Sequence, residues 1–150
     1  MSLRDDDWRR RADCYPLHFQ LQSRYGDMDS NAHLNNVAIA RLFEESRLRL
    51  HQEILRRGGE ISPNGAMIVH IAIDYLGEGH YPEDVQACIG VIHLGRSSYR
   101  LAHGLFQQGR AFALAESVMV SVEKARMQPA AIAPSLKQQL QTMVVRESAG

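Results

Sequence analysis

Residues 24–47, RYGDMDSNAHLNNVAIARLFEESR, contain the junction between a polar loop and a long helix. The first part, 24–34, is rich in Asp, Asn, Ser and Gly and has no hydrophobic alternation, which is typical of a loop. From about Asn35 to Arg57 the pattern is helical, without Gly or Pro until Gly58-Gly59. The sequence therefore predicts a loop that leads directly into a long helix whose N-terminus is capped by Asn35 or Asn36.

One face of this helix is expected to be buried. Hydrophobic residues recur at helical spacing, and they are Val37, Ala40, Phe43, Leu50 and Ile54. Because the helix is longer than the average helix of globular proteins, we expect it to be the central helix of the domain.

The segments on both sides of the helix predict strands. Before the loop, Leu17, Phe19 and Leu21 alternate with polar residues, as in a half-buried strand. After the helix, the turn 61–65 is followed by β-rich runs at 66–76, 84–95, 97–107 and 110–124. Their short connections favour antiparallel hairpins, and Pro134 precedes a short helix that we expect at the periphery.

This order predicts an α+β fold in which an antiparallel sheet of about five strands wraps around one helix. Small residues share one face of the last strand and are expected to approach the helix; they are Ala111, Ala113, Ala115 and Ser117. Apolar residues also lie on the opposite face of the sheet, which we expect nothing else in the chain to cover. The sequence therefore predicts an oligomer.

Composition limits the functional class. The chain has 150 residues and equal numbers of basic and acidic residues, 17 of each, so a strongly basic nucleic-acid-binding surface is disfavoured. No apolar run approaches the roughly 20 residues that span a bilayer, and the first 14 residues do not resemble a secretory signal. We therefore expect a cytoplasmic protein with a charged N-terminal segment, 1–14, followed by a single domain, 15–150.

The cysteines and histidines do not indicate a metal site or a disulfide. Cys14 and Cys88 lack the spacing of either, and Cys88 is expected in the core. The strand histidines lack ligand spacing and are expected to face solvent; they are His70, His80, His93 and His103.

Polar side chains concentrate where the loop meets the helix. Within twelve residues the sequence places Tyr25, Asp27, Asp29, Asn31, His33, Asn35 and Asn36. A helix N-terminus offers unpaired N–H groups that can polarise a carbonyl, and a nearby carboxylate can act as nucleophile or general base. The alternative is that these residues only cap the helix and turn the chain.

This stretch resembles the signature of the hotdog-fold acyl-CoA thioesterases, the 4-hydroxybenzoyl-CoA thioesterase-like family. That signature is approximately R-[YF]-x-D-x-D-x-x-G-H-x-N-N, followed by a helix with F-E-x-x-R. The resemblance continues in LGRSSYRL (94–101) and VSVEKARMQPAAIAP (120–134). It implies a hotdog fold, hydrolysis of acyl-CoA thioesters without a metal or other cofactor, and a homodimer or homotetramer.

The resemblance also implies roles for residues of the loop. Asp29 matches the catalytic carboxylate, as nucleophile on the thioester or as base for water. Asn36 would polarise the carbonyl through its backbone N–H, while His33 and Asn35 would shape the loop. One position departs from the signature, since Ala32 stands where the family has glycine, which often serves an unusual backbone angle.

Further positions are expected to contact substrate, and they are Tyr25, Asn35, Glu44, Arg96 and Ser98. Glu44 lies seven residues after Val37 and is therefore expected on the inward face, either functional or paired with Arg41 or Arg47. Two other functions remain open. One is a non-catalytic acyl-CoA-binding domain, and the other is a thioesterase acting on acyl-carrier protein.

Overall fold

The computed structural model describes residues 2–60 and 65–147, so residues 61–64 of the expected 61–65 turn lie outside the described residues. The strands are β1 (Leu17–Leu21), β2 (Gly65–Tyr75), β3 (Val85–Leu94), β4 (Ser98–Gln107), β5 (Arg110–Glu123) and β6 (Gln128–Pro129). The helices are α1 (Asn36–Arg56) and α2 (Pro134–Gln141), and 3-10 turns span Leu3–Asp5, Asp7–Arg10, Ala12–Cys14 and Tyr25–Asp27.

The sheet is antiparallel throughout and has the order β1-β3-β4-β5-β2, with the short β6 paired to the end of β5. Helix α1 packs on its inner face. This arrangement confirms the α+β class and the hotdog architecture of about five strands around one long helix. The strands β1 and β2 form the two edges of the sheet.

Helix α1 begins where the sequence predicts. Asn35 is the N-cap, and its side-chain oxygen accepts a hydrogen bond from the N–H of Ala38 at 2.8 Å. Phe43, Leu50 and Ile54 are buried as expected. Val37 was expected to be buried with them, but it is 70% exposed.

Val37 is exposed because the buried face of α1 is rotated from the one that the apolar residues predict. The buried face of α1 includes two polar residues, Ser46 and Arg47, which an apolar pattern cannot reveal. At 3.6 residues per turn, a face that contains Ser46 and Leu50 places Val37 on the outer side. Glu44 is on the outer side for the same reason and is exposed, which corrects the expectation that it points inward.

Strand β5 meets the helix through small residues. Ala113 and Ala115 belong to the same core cluster as Phe43, which confirms the expected close approach. Ala111 does not, because the β4–β5 register shifts between Leu105 and Phe106. Ala111 therefore packs in the cluster on the outer face of the sheet, and Phe112 takes the inner side.

The outer face of the sheet is covered by the N-terminal segment, contrary to the expectation that nothing in the chain would cover it. Tyr15 is buried in a cluster with Phe106 and Leu114, and Trp8 packs against that cluster. Arg9 is 6% exposed and pairs with Glu116 of β5 at 3.0 Å. The charged segment is thus a docked part of the fold, while the domain boundary at residue 14 stays a prediction.

Helix α2 is also better packed than expected. Leu136, Leu140 and Met143 are buried in the cluster that contains Leu50 and Ile54 of α1. The helix therefore closes one end of the core and is not peripheral. Among the described residues, no helix is both long and apolar enough to cross a membrane.

His103 is buried between the helix and the sheet, which corrects the expectation that it faces solvent. It is 1% exposed, and its ring nitrogens lie 3.0 Å from Ser46 Oγ and 2.8 Å from Ser117 Oγ. Because Ser46 Oγ donates to the Phe43 carbonyl, it accepts from His103 Nδ1. Burial, with the positive charge of Arg47, lowers the pKa of His103 to about 3.

The loop ahead of α1 holds an unusual backbone conformation at Ala32, whose φ is +61°. Its N–H donates to the Asp29 carbonyl at 3.0 Å, while the Asp29 N–H donates to the His33 carbonyl at 2.8 Å. The left-handed angle is the one that glycine adopts readily. The alanine therefore keeps the turn, at a cost of about 1–2 kcal/mol in backbone strain.

The buried His103 and the partly buried His51 make the protein acid-sensitive. Burial also lowers the pKa of His51 to about 4, from the ordinary 6.5. Since the folded protein binds fewer protons than the unfolded chain below pH 6.5, stability falls as the pH falls. We expect the free energy of unfolding in urea to drop by roughly 2 kcal/mol between pH 6 and pH 5.

The source of this drop can be isolated by substitution. His51→Gln retains a polar partner for Tyr99 and should reduce the decrease by about half, while His93→Gln, at an exposed position, should leave it unchanged. A decrease that is the same in His51→Gln as in the wild type would contradict the assignment.

Relief of the strain at Ala32 should stabilise the protein. Ala32→Gly removes the Cβ penalty at positive φ but adds freedom to the unfolded chain, so we expect a net gain of about 0.5–1 kcal/mol in urea unfolding. Ala131→Gly is the matched control, because Ala131 is exposed and lies outside the positive-φ residues. The control should lose a few tenths of a kcal/mol. Destabilisation by Ala32→Gly would show that the turn is not strained.

Candidate active site

Asp29 is held by its own loop. Its Oδ1 accepts hydrogen bonds from the backbone N–H groups of Asn31 at 2.8 Å and His33 at 3.2 Å. Within the part of the chain that the structure describes, no group donates to Oδ2. The residue is exposed, so one carboxylate oxygen is oriented by the backbone while the other is available to a ligand or a water.

Helix α1 begins seven residues after Asp29. Asn36 is the first helical residue and is exposed. The first N–H groups of a helix have no partner within it, and here Asn35 caps only that of Ala38. Among the residues that the structure describes, the N–H groups of Asn36 and Val37 thus remain as donors at the positive end of the helix dipole, suited to a carbonyl oxygen that gains negative charge.

Asp27, the first aspartate of the motif, is structural. It is 3% exposed, and it pairs with Arg24 at 3.3 Å and with Arg41 of α1. Its backbone carbonyl accepts the N–H of Asn35 at 2.8 Å. Burial would raise the pKa of Asp27, but hydrogen bonds from the Arg24 backbone and from the Arg41 and Arg24 guanidinium groups hold it below its usual range. Asp27 therefore fixes the loop to the helix.

His33 is directed at a segment that the sequence does not single out as part of the site. Its Nε2 lies 3.1 Å from Glu78 Oε2, and its ring packs edge-on against His80 with 5.4 Å between centroids. Both partners belong to the connection between β2 and β3, which the sequence predicts as a hairpin connection, although β2 and β3 are not neighbours in the sheet. Nothing in the local pattern indicates this contact, because it joins residues 45 positions or more apart.

Tyr25 and Glu44 are both exposed, and neither is seen in contact with Asp29. Tyr25 is 75% exposed, with its ring 6.0 Å from that of Tyr81 in a T-shaped contact. Glu44 lines an open groove of about 410 Å³ together with Arg24 and Arg41. None of the ion pairs among the described residues includes Glu44, so the expected pairing with Arg41 or Arg47 is not found.

Arg96 and Ser98 are not near Asp29 within one chain. Ser98 pairs with Val120 near the C-terminal end of β5. Leu34 and Gly79, beside the Asp29 loop, lie instead against Phe112, near the N-terminal end of β5. Eight residues of strand separate Phe112 from Val120, roughly 26 Å at 3.3 Å per residue. The structure therefore places Asp29, His33, Asn35 and Asn36 at one junction but leaves Arg96 and Ser98 apart.

Neither a metal cluster nor a disulfide is found in the described ranges. No group of three or more His, Cys, Asp or Glu side chains there could hold a metal ion. Cys14 and Cys88 are free and buried, which confirms Cys88 as a core residue. Burial raises the pKa of the Cys88 thiol to about 12.

Solved structures of similar fold include several thioesterases. The PA5185 protein of Pseudomonas aeruginosa is 26% identical, with a TM-score of 0.82 over 91% of this chain and 96% of that one. A thioesterase of Thermus thermophilus, crystallised with coenzyme A and Zn, is 24% identical, with a TM-score of 0.73 over 86% and 94%. A 1,4-dihydroxy-2-naphthoyl-CoA thioesterase of Synechocystis is 14% identical, with a TM-score of 0.69 over 83% and 94%.

Among curated proteins, none matched the sequence significantly. The sequence model of the thioesterase-like superfamily, however, matches residues 23–140, a range that includes the Asp29 loop, α1 and strands β2–β5. The chain therefore belongs to the thioesterase-like superfamily.

Proposed function

We propose that the protein hydrolyses acyl-CoA thioesters to a free acid and CoA, with Asp29 as the catalytic carboxylate. The observation that carries the proposal is the geometry of the loop, in which two backbone N–H groups orient Asp29 Oδ1 immediately ahead of the capped N-terminus of α1. Membership of the thioesterase-like superfamily supports thioester hydrolysis, and the coenzyme A bound to the Thermus relative supports a CoA ester as substrate.

The geometry supports two routes for the same hydrolysis. As general base, Asp29 takes a proton from water, the hydroxide attacks the thioester carbonyl carbon, and the C–S bond breaks as the CoA sulfur leaves and acquires a proton. As nucleophile, Asp29 attacks the carbon itself, releases CoA and forms an anhydride that water then hydrolyses. In both, the N–H groups of Asn36 and Val37 stabilise the oxyanion.

The other proposed substrate contacts follow from position. Tyr25 and Asn35 flank the loop, and Glu44 faces the groove beside Arg41. The cytoplasmic location stays a prediction, which the free thiols of Cys14 and Cys88 fit, because disulfides are rare in reducing compartments.

We also propose that the protein works as a homo-oligomer that pairs through β2. This edge strand carries apolar side chains exposed by 38% to 59%, and they are Met67, Ile68, Val69, Ile71 and Tyr75. An exposed apolar edge is a template for pairing with another strand. A two-fold axis at β2 pairs the two copies isologously, and it continues the antiparallel sheet.

Such pairing would also complete the site. In this pairing, the C-terminal end of β2 in one copy, which is next to the Asp29 loop, lies beside the N-terminal end of β2 in the other copy. Within each copy, Val120 of β5 pairs with Met67 of β2 on one side and with Ser98 of β4 on the other. The beginning of β2 is therefore on the same end of the sheet as Ser98. Arg96 and Ser98 of one copy would then lie near the Asp29 loop of the other, where a guanidinium could meet a phosphate of CoA.

Hydrolysis is tested with a panel of acyl-CoAs and a thiol-detecting dye, for which the buried protein thiols give little background. Asp29→Asn retains an oxygen for the N–H groups of Asn31 and His33 but removes the charge. We expect it to lower kcat by about 100-fold or more. Asp13→Asn, in the N-terminal segment, should keep full activity.

The other outcomes separate the alternatives. Full activity in Asp29→Asn would contradict the assigned role. Saturable binding of acyl-CoA without thiol release would instead establish a binding domain. Thiol release only from acylated carrier protein would show that the substrate is an acyl-carrier-protein thioester and not an acyl-CoA.

Assembly is tested by light scattering after size-exclusion chromatography. We expect the wild type at a multiple of 16.9 kDa. Val69→Lys should shift it toward the single-chain mass, because a charge at the apolar edge opposes strand pairing. Val144→Lys is the control, since Val144 is 50% exposed but lies outside β2. A wild type that stays at 16.9 kDa at high concentration would exclude the oligomer.

A further inference from the structure

The connection between β2 and β3, residues 76–84, contacts the Asp29 loop at three consecutive residues. Glu78 Oε2 lies 3.1 Å from His33 Nε2, and the carbonyl of Gly79 accepts the N–H of Leu34 at 2.9 Å. The ring of His80 packs edge-on against that of His33. The loop that carries Asp29 is thus braced by a second, distant segment of the chain.

This connection is itself fixed in place. Gln107 is 8% exposed, accepts a hydrogen bond from the His80 N–H at 2.9 Å and donates to the His80 and Glu83 carbonyls at 2.8 and 3.2 Å. Gly79 is buried, and a Cβ there would lie 2.7 Å from Phe112 Cε2. Glu78 and His80 therefore project from a segment that cannot easily shift.

His33 transmits this constraint to Asp29 through its backbone. Its carbonyl accepts the Asp29 N–H at 2.8 Å, and its N–H donates to Asp29 Oδ1 at 3.2 Å. Ala32, between them, holds a strained angle. A displacement of His33 would therefore break the bonds that orient the Asp29 carboxylate.

We propose that Glu78 is a positioning residue, which acts through the His33 side chain to hold Asp29 in its reactive orientation. The proposal rests on the proposed function, since it deepens the role of the same site. The pair is partly exposed, with 31% of the His33 side chain and 59% of the Glu78 side chain accessible. Its contribution to global stability should be small because the pair is screened by solvent, so its effect is expected in the rate rather than in folding.

The first test compares substitutions of glutamate within the same connection. Glu78→Ala should lower kcat about tenfold and change KM by less than about twofold, because the carboxylate of Asp29 loses its orientation rather than its affinity for substrate. Glu78→Gln keeps the size of the side chain and an oxygen near His33 Nε2, and it should retain most of the rate. Glu83→Ala removes an equal charge nearby without touching His33, and it should leave kcat unchanged.

A double-substitution cycle then identifies the route of the effect. Glu78→Ala should cost nothing further in a His33→Ala background, since its action passes through that side chain. Independent, multiplicative losses would overturn the proposal and indicate that Glu78 acts directly on substrate. An unchanged kcat in Glu78→Ala would overturn it as well.

A readout without substrate separates this proposal from the proposed function. Amide hydrogen exchange should become faster at Asn31 and His33, the two donors to Asp29 Oδ1, in Glu78→Ala but not in Glu83→Ala. If the wild type hydrolyses no thioester but Glu78→Ala still speeds exchange at these amides, the proposed function is wrong and the positioning role of Glu78 is supported. If these amides exchange in Glu78→Ala as they do in the wild type, the positioning role of Glu78 is refuted, whatever the activity.

Discussion

The candidate site depends on the buried carboxylate of Asp27. Its side chain pairs with Arg24, ahead of the loop, and with Arg41, in the second turn of α1. Its carbonyl accepts the N–H of Asn35, the residue that caps the helix. Because the Asp27 carboxylate is buried while both arginines reach solvent, removing either partner would leave the buried charge less compensated, and this links the three elements. Asp29, two residues later, takes its position from this junction.

The rotation of α1 about its axis is set by polar contacts as well as by apolar packing. His103 bridges Ser46 on the helix and Ser117 on β5, and buried hydrogen bonds of this kind tolerate little change in geometry. His51, one turn beyond Arg47, bonds the hydroxyl of the buried Tyr99. These contacts fix the outward setting of Glu44 and direct the first N–H groups of the helix toward the loop end of the domain.

The sequence was sufficient for features that depend on local patterns. The start of α1, the strands and the polar junction follow from capping, alternation and turn chemistry, and the motif around Asp29 identifies the family. It was insufficient where a polar residue replaces an apolar one, as at Ser46 and Arg47, or where a register shift exchanges faces, as at Ala111. The contact between Glu78 and His33 joins distant segments and leaves no periodic signal.

The N-terminal segment changes the physical argument for an oligomer. The sequence suggested that an uncovered sheet face requires a partner, but Trp8, Tyr15 and the buried Arg9 cover that face within the chain. The edge at β2 is instead an apolar surface that stays exposed, and within the described residues no strand pairs with its outer side. In the proposed oligomer, a partner strand at this edge would gain hydrogen bonds and buried apolar area together, so the edge would set the two-fold symmetry. The same symmetry would bring Arg96 and Ser98 of one copy toward Asp29 of the other, so one surface would serve both the proposed association and the proposed site.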